Sequence, residues 1–475
     1  MKSCTQLVLA AAIGTVAAAA TEDCVSQCCL SMAKVPELKG KVYLPDSTAY
    51  ENRLDSYWSL SAALSPWCMV QPSTAKHVSV IIKTLVAGEC PFGIRGGGHG
   101  AHKLSNAVDK GVTIDFGNMN STTWDPDTRL VSIQPGGHWQ TVYDELAPYG
   151  VAVAGGRAGT VGTGGFVSGG GNSFYSASHG MACDTVANFE VVLADGSIVN
   201  ANASSNSDLF EALKGTSGNL GLITRFDMYP IEYADPVSSS IIYWAYLPAL
   251  IGGTILNAAI ENTMATVQPP AFDVYYAVDG IYSDTTVVDT LSNVANQLGS
   301  GQPPGFRNMW FAASFKNDAR PMNYAVEKFE ELNAALEEVA PSSETGLNTL
   351  CMFQPITKSI AEKGVQNGGN VMGLDAYTED GNGIMFLLTL ALTGTEAHEE
   401  AALPLMAAFI DDLDAYSDSL GLKWDWKYLN YAHSSQDVIA SFGEEAVAKI
   451  KAASAKYDPN GVFQKLRGSG FKIPA

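Results

Sequence analysis

The sequence predicts an α+β protein of two domains, and three observations carry that expectation. At 475 residues the chain is too long for one ordinary compact core. Residues from about 40 to 235 alternate short β-branched runs with helical patterns and glycine turns. Near Asp235-Pro236 the texture changes to longer strands and helices, and after about residue 425 it turns polar and aromatic again. With 46% apolar and 16% charged residues, the composition is that of a packed globular protein.

In the first half, "HVSVIIKTLV" has helix spacing, with Val78, Ile81, Ile82 and Leu85 on one face. "PFGIRGGG" reads as a strand entering a tight loop, and "GVTIDFG" and "RLVSIQPG" as short strands. "HWQTVYDELAPYG" reads as a helix stopped at Gly150. "FEVVLADGSIVNA" is a hairpin turning at Asp195-Gly196. "SDLFEALKG" is a short helix, with Ser207 or Asp208 as cap and Gly215 as stop. In the second half, strands such as "SSSIIYWAYL", "NMWFAASF" and "GIMFLLTLAL" alternate with helices such as "AVEKFEELNAALEEV". Those lengths suit an antiparallel sheet covered by helices on one face.

Residues 1–20 read as a signal peptide. Lys2 supplies the charge, Leu7 to Ala20 is apolar, and Ala18 and Ala20 fit cleavage before Thr21. The run is short for a membrane span, and no later stretch of 18 uncharged apolar residues follows. The expectation is a secreted protein with no membrane partner. A formal net charge of −21 argues against nucleic acid, because an acidic surface repels phosphate.

Eight cysteines are present, and Cys4 leaves with the signal. The odd remainder leaves at least one thiol free or pairing between chains. "CVSQCC" has no accompanying His cluster, so no metal site is expected; its cysteines are expected to pair with Cys68 or Cys90. Asn120 in "NST" and Asn202 in "NAS" are glycosylation sequons.

Three glycine clusters stand out: "RGGGHG", "GGRAGTVGTGGFVSGGG" and "GTSGNLGLIT". The second holds nine glycines in seventeen positions. Successive glycines let backbone N–H groups converge on an anion, and several such loops suit a long ligand with a pyrophosphate. No Gly-Lys-Ser/Thr of the Walker type is present. Gly162-x-Gly164 begins a Rossmann fingerprint, but Val167 holds its third glycine site.

These clusters, with "VSIQPGGHW", "HGMACDTVANFEVVLADGSIV", "YLNY" and the terminal "KYDPNGVF", resemble the berberine-bridge-enzyme-like FAD-linked oxidases of the vanillyl-alcohol-oxidase superfamily. The resemblance is dense over 60–230 and returns over 425–465. It implies a two-domain PCMH-type FAD-binding fold: an FAD-binding domain over 21–235 (core about 64–232), a substrate domain over 236–425, and a segment 426–475 returning to the first domain.

The resemblance also implies FAD bound covalently through His99. Its cofactor-binding positions fall on Arg95, Gly96, Gly97, Gly98, His99, Gly100, Gly156, Thr160, Val161, Gly162, Gly165, Gly170, Gly171, Gly221, Ile223, Asn430 and Tyr431. Many relatives carry a second, cysteinyl tether, but here Ala158 holds that position. Val161 falls at the family's oxygen gate, where a valine leaves O₂ a path to the flavin. Tyr428, Tyr431 and Asn430 are the catalytic candidates. If "YLNY" is extended, Tyr428 shares a side with Asn430, which makes Tyr428 the first choice of base. His102 has no family role and is expected to face solvent; Gln354, Asp375 and Tyr377 are strand positions that could face the ring. The expected activity is oxidation of an alcohol or C–H/C–N centre of a small molecule, with O₂ as acceptor and H₂O₂ as product, in specialised metabolism. A carbohydrate oxidase and a flavin-holding non-redox cyclase are the alternatives.

Overall fold

Two sheets build the glycine-rich half in a computed structural model that describes residues 27–232, 237–244 and 255–475. The signal segment, Cys24 and the Asp235-Pro236 boundary lie outside the described residues. In the first sheet Val112–Asp115 runs parallel to both Cys68–Val70 and Phe92–Arg95, with Val42–Tyr43 antiparallel at one edge. Helix Ala75–Ala87 begins where the Thr74 side chain accepts from the His77 N–H, and it buries Val78, Ile81, Ile82 and Leu85. These pack with Phe92, Val112 and Ile114 into one cluster. Disulfides Cys28–Cys90 and Cys29–Cys68 fasten the preceding segment to that core. Cys183 and Cys351 are free thiols.

The second sheet is antiparallel, in the order Thr122–Asp125, Leu130–Ile133, Leu222–Met228, Val186–Val192, Ile198–Asn202. The last two strands form the expected hairpin, with Gly196 at φ +79° in its turn. Helix Ser207–Leu213 corrects the expected cap. Asn206, at φ +50°, occupies the N-cap in place of Ser207 or Asp208, while Gly215, at φ +115°, follows the Lys214 C-cap as the expected stop. Asp208 instead accepts from Lys456 and the Tyr457 hydroxyl, and asparagine tolerates the left-handed backbone that the entry requires. Asn120 is exposed, whereas the Asn202 side-chain amide donates to Asn188.

The second half carries an antiparallel sheet in the order Asn348–Ile356, Gly383–Leu392, Arg307–Lys316, Lys423–Trp424. Side chains alternate between its faces. Phe311, Phe315, Phe386 and Leu388 pack beneath helices Ala319–Val339 and Glu396–Ser419, against Phe329, Leu332, Phe409 and Ile410. Each such burial is worth about 1.5–3 kcal/mol, so this layer holds the sheet rigid. The other face meets the C-terminal segment, where the Ala312 N–H donates to Gln436 Oε1. A smaller sheet pairs Val237–Trp244 with Leu256–Asn262 on one side and with Ile281–Asp284 and Val287–Asp289 on the other.

The C-terminal residues pack on the first half: the Phe92 N–H donates to the Leu466 carbonyl at 2.9 Å. Among the described residues no helix is long and apolar enough to cross a membrane.

Candidate functional site

Strand Phe92–Arg95 opens into the loop Gly96–Gly100, which meets the second glycine cluster backbone to backbone. A Cβ on Gly97 would lie 2.4 Å from Gly162 Cα, and one on Gly162 would lie 2.6 Å from Gly97 Cα. Gly98, at φ +80°, covers the Arg95 guanidinium. That guanidinium donates from Nη1 to the Arg53 carbonyl and from Nη2 to Ser56, and it stacks 3.7 Å from the Tyr57 ring. Arg95 thus props the loop from inside the domain. Several glycines serve packing: Gly100 abuts Ser105, Gly156 abuts Trp139, Gly171 abuts Phe166, and Gly221 abuts Val191 beside the buried Ile223. Gly170, at φ +109°, abuts Met372 and Tyr428. Gly165 differs, because it is exposed and a Cβ there would meet nothing; Thr160 is also exposed and Val161 partly so. These three positions are reachable from solvent.

His99 lies two residues beyond Gly97, the glycine that packs on Gly162. Trp58 stacks on its ring with centroids 4.3 Å apart, and the Trp58 N–H holds the Gly98 carbonyl at 3.1 Å. Nδ1 of His99 is sealed from solvent and has no hydrogen-bond partner. Desolvation, with a smaller contribution from neighbouring His138, pushes the imidazole pKa down to about 3. The ring is therefore neutral at any physiological pH, and one nitrogen lone pair is unused. That is the condition a covalent attachment through imidazole requires, so the site fits a tethered group at this atom.

A polar cluster joins three parts of the chain. Arg157 Nη2 donates to Gln354 Oε1 at 2.6 Å and to the Tyr431 hydroxyl at 2.8 Å. Asn172 Nδ2 donates to the same Gln354 oxygen at 3.3 Å. An aromatic row links this cluster to His99: Trp58 meets Trp310 at 5.5 Å, and Trp310 meets Tyr431 at 5.7 Å.

The "YLNY" segment is a turn, not an extended strand, with the Tyr431 N–H donating to the Tyr428 carbonyl at 3.0 Å. This overturns the geometry on which Tyr428 was preferred. Its hydroxyl is buried and accepts from the backbone N–H groups of Gly171 and Asn172 and from Asn430 Nδ2. Burial raises its pKa well above the ordinary phenol range, which makes it a poor proton acceptor. Asn430 also donates to the Phe166 carbonyl, so both side chains brace the glycine run. Asp375 and Tyr377 lie on the short helix Leu374–Tyr377 rather than on strands. Asp375 is exposed, and the Tyr377 hydroxyl donates to the Ser441 carbonyl. His102 is buried against His433 and Phe471, not solvent-facing, because its ring is covered by the C-terminal segment.

Sequence reasoning missed Trp58, Arg157 and Asn172. Arg157 did carry a signal, as the lone charged residue inside the nine-glycine run. Trp58 carried none, because it lies outside every recognised motif.

Residues 66–202 match an FAD-binding-domain family. A relative from Aspergillus calidoustus, the FAD-dependent monooxygenase drtC, is 34% identical, covering 95% of this chain and 91% of its own length. Among solved structures, Physcomitrella patens BBE-like 1 superposes with a TM-score of 0.72 at 16% identity over 95% of this chain and 99% of its own. Glucooligosaccharide oxidase from Acremonium strictum, which carries a 6-S-cysteinyl, 8α-N1-histidyl FAD, has a TM-score of 0.71 at 18% identity, covering 95% of this chain and 99% of its own. Sequence likeness to a relative along almost its whole length makes the chain a member of that relative's family of FAD-dependent oxidoreductases, on the fold it shares with the BBE-like structure.

Proposed function

We propose that this enzyme is a secreted oxidase whose FAD is tethered through His99 alone, and that it oxidises an alcohol or a C–H/C–N centre of a small molecule. The sealed, neutral and unpartnered Nδ1 of His99 is the observation that carries the reading. The loops Gly96–Gly100 and Gly156–Gly165 would hold the cofactor, with Gly165, Thr160 and Val161 accessible to it from solvent. Ala158 cannot form a thioether, and it sits 3.7 Å from where a Cβ on Gly299 would lie. FAD, when bound, supplies a two-electron acceptor that O₂ can reoxidise, with H₂O₂ as product. The chain's own part is to position substrate between the aromatic row and the Arg157–Gln354–Tyr431 cluster. Tyr431, not Tyr428, is the tyrosine of "YLNY" that this cluster presents. Its hydroxyl receives the Arg157 N–H and orients the substrate's polar group, while Arg157 holds negative charge as the proton leaves.

The test is anaerobic mixing of the holoenzyme with alcohols, amines and sugars, followed near the flavin's visible band. Bleaching, and equimolar H₂O₂ when air is admitted, supports the oxidase; turnover without bleaching refutes it. The name of the Aspergillus relative favours a second reading, monooxygenation. Incorporation of one ¹⁸O atom from ¹⁸O₂ into product, without H₂O₂, distinguishes it.

A further inference from the structure

A strap of three residues, Trp58 to Leu60, holds His99 from outside the glycine loops. Trp58 stacks on the imidazole with the ring planes 17° apart, and its backbone N–H donates to the Gly98 carbonyl. The next residue, Ser59, donates from Oγ to the Ala101 carbonyl at 2.7 Å. The strap therefore bonds backbone carbonyls on both sides of His99. Its outer side is fixed by the second half of the chain. The indole N–H of Trp58 donates to the Gln302 carbonyl at 2.9 Å, and the Trp58 carbonyl accepts from the Gly305 N–H. The Leu60 N–H donates to the Phe306 carbonyl, and Ser59 Oγ accepts from the Asn308 N–H. Both Trp58 and Ser59 are buried.

The last torsion of a histidine side chain has broad preferences, so the chain alone does not set the plane of the ring. The nitrogen lone pairs lie in that plane, and the plane fixes the line along which either nitrogen can form a bond. An indole stacked on one face sets the plane and leaves the ring edge to the nitrogens. The indole is itself held, by its bond at Nε1 and by Trp310 packed edge-on at 5.5 Å. It also keeps water from one face of the imidazole, which disfavours the charged form.

We infer that Trp58 is the positioning residue for the flavin tether: it holds the His99 imidazole in the plane from which the N–C bond forms, and the second half of the chain holds Trp58. The inference rests on the His99 attachment proposed above. Attachment breaks an imidazole N–H bond and a methyl C–H bond of the flavin and joins that nitrogen to that carbon. The two protons and two electrons released reduce the flavin ring, and O₂ reoxidises it to give H₂O₂. Trp58 takes no part in these bonds. It acts on orientation, where a misplaced group can cost about 10²-fold in rate, and on hydration. Desolvation is what holds the imidazole pKa down at about 3. His138 is the titratable neighbour whose charge reaches the ring; its Nε2 bonds the Gly97 carbonyl, and burial lowers its pKa too.

The test reconstitutes full-length apoprotein with FAD and follows acid-stable flavin on the His99 peptide over time at pH 5 and pH 8. Trp58→Phe keeps a flat face and should tether within about threefold of the native rate, since stacking survives loss of the indole N–H. Trp58→Leu removes the face and should tether about tenfold or more slowly at pH 8, with unlinked FAD still bound. Its rate should fall about fivefold or more again at pH 5, because a hydrated imidazole protonates near 6.5, whereas the native rate stays level. If Trp58→Leu does not hold FAD, Trp58→Met, with a longer, flexible side chain and no flat face, is read in its place. Native-rate tethering with a level pH profile in Trp58→Leu overturns the inference. So does Trp58→Phe as slow as Trp58→Leu, because the indole N–H bond and not the stack would then set the rate. Loss of FAD from all three variants overturns it too, because Trp58 would then hold the fold rather than the ring. A fully extractable flavin in the native chain removes the His99 attachment and this inference together. A tethered flavin indifferent to residue 58 removes the inference alone.

Discussion

Arg157 Nη2 lies 2.8 Å from the Tyr431 hydroxyl and binds a residue of the glycine run to a residue of the C-terminal segment. The contact reverses the order of the two tyrosines expected from "YLNY". Tyr431→Phe should slow anaerobic flavin reduction roughly 10²-fold, at the lower end for acid–base groups. Tyr428→Phe should leave reduction within a few-fold but strip a buried acceptor from Gly171 and Asn172. Leaving such donors unpaired costs about 1–3 kcal/mol, visible as a lowered melting temperature. Stopped-flow reduction and thermal unfolding of the two variants, side by side, separate these roles. A large kinetic loss confined to Tyr428→Phe would contradict the assignment.

His99→Ala is expected to release its flavin to the supernatant on acid precipitation, while the native protein stays yellow. Because the imidazole is neutral down to about pH 3, flavinylation of apoprotein should proceed equally well at pH 5 and pH 8. An ordinary histidine would lose most of its nucleophile at pH 5. Mass spectrometry of the flavin-bearing peptide is the check. Attachment at another residue, or a steep fall in rate below pH 6.5, counts against it.

Reoxidation should be fast in the native enzyme, because Val161 is partly exposed beside Gly162. Val161→Leu is expected to slow the reaction of reduced enzyme with O₂ without changing the reductive half-reaction. Slow native reoxidation in stopped flow would instead indicate a dehydrogenase.

Gly97→Ala tests the loop contact. Its methyl would fall 2.4 Å from Gly162 Cα, and both partners are backbone. Overpacking of this kind costs about 1–3 kcal/mol. A melting temperature several degrees lower, with reduced flavin content, is the expected result. By contrast, Gly165→Ala meets no atom and should melt like wild type.

Acid should destabilise the fold beginning below pH 6.5. Desolvation lowers the pKa of His99 to about 3 and of His433 to about 4, and it also lowers that of buried His102. The unfolded chain takes up these protons near pH 6.5 and the folded chain does not, so stability present above pH 6.5 is lost as pH falls toward 3. Glu261 has the opposite sign. Its pKa is raised from 4.5 to about 7, so it favours the folded state below 4.5 and that advantage is lost as pH rises through 7. Glu261→Gln should therefore raise the melting temperature at pH 8 more than at pH 5; equal shifts would show that Glu261 is not protonated near neutrality.

Much of this protein was legible in the order of its residues. The helix at Ala75–Ala87, the hairpin around Asp195-Gly196 and the two-faced sheet strands follow from periodicity and turn chemistry, which act over a few neighbours. The glycine clusters and His99 were legible for the same reason, since a loop that must approach another backbone closely has to be written in consecutive glycines. Only the tertiary structure decided which residues meet. It turned "YLNY" into a bend, so that Tyr428 was consumed as an acceptor for the glycine run and Tyr431 was left for Arg157. It set Trp58 on His99 from 41 residues away in the chain, and it set Glu261 opposite Ser239 through a strand register that no local pattern encodes. Burial and long-range pairing depend on how sheets stack, and those same contacts determine whether a tyrosine, a histidine or a glutamate holds its proton.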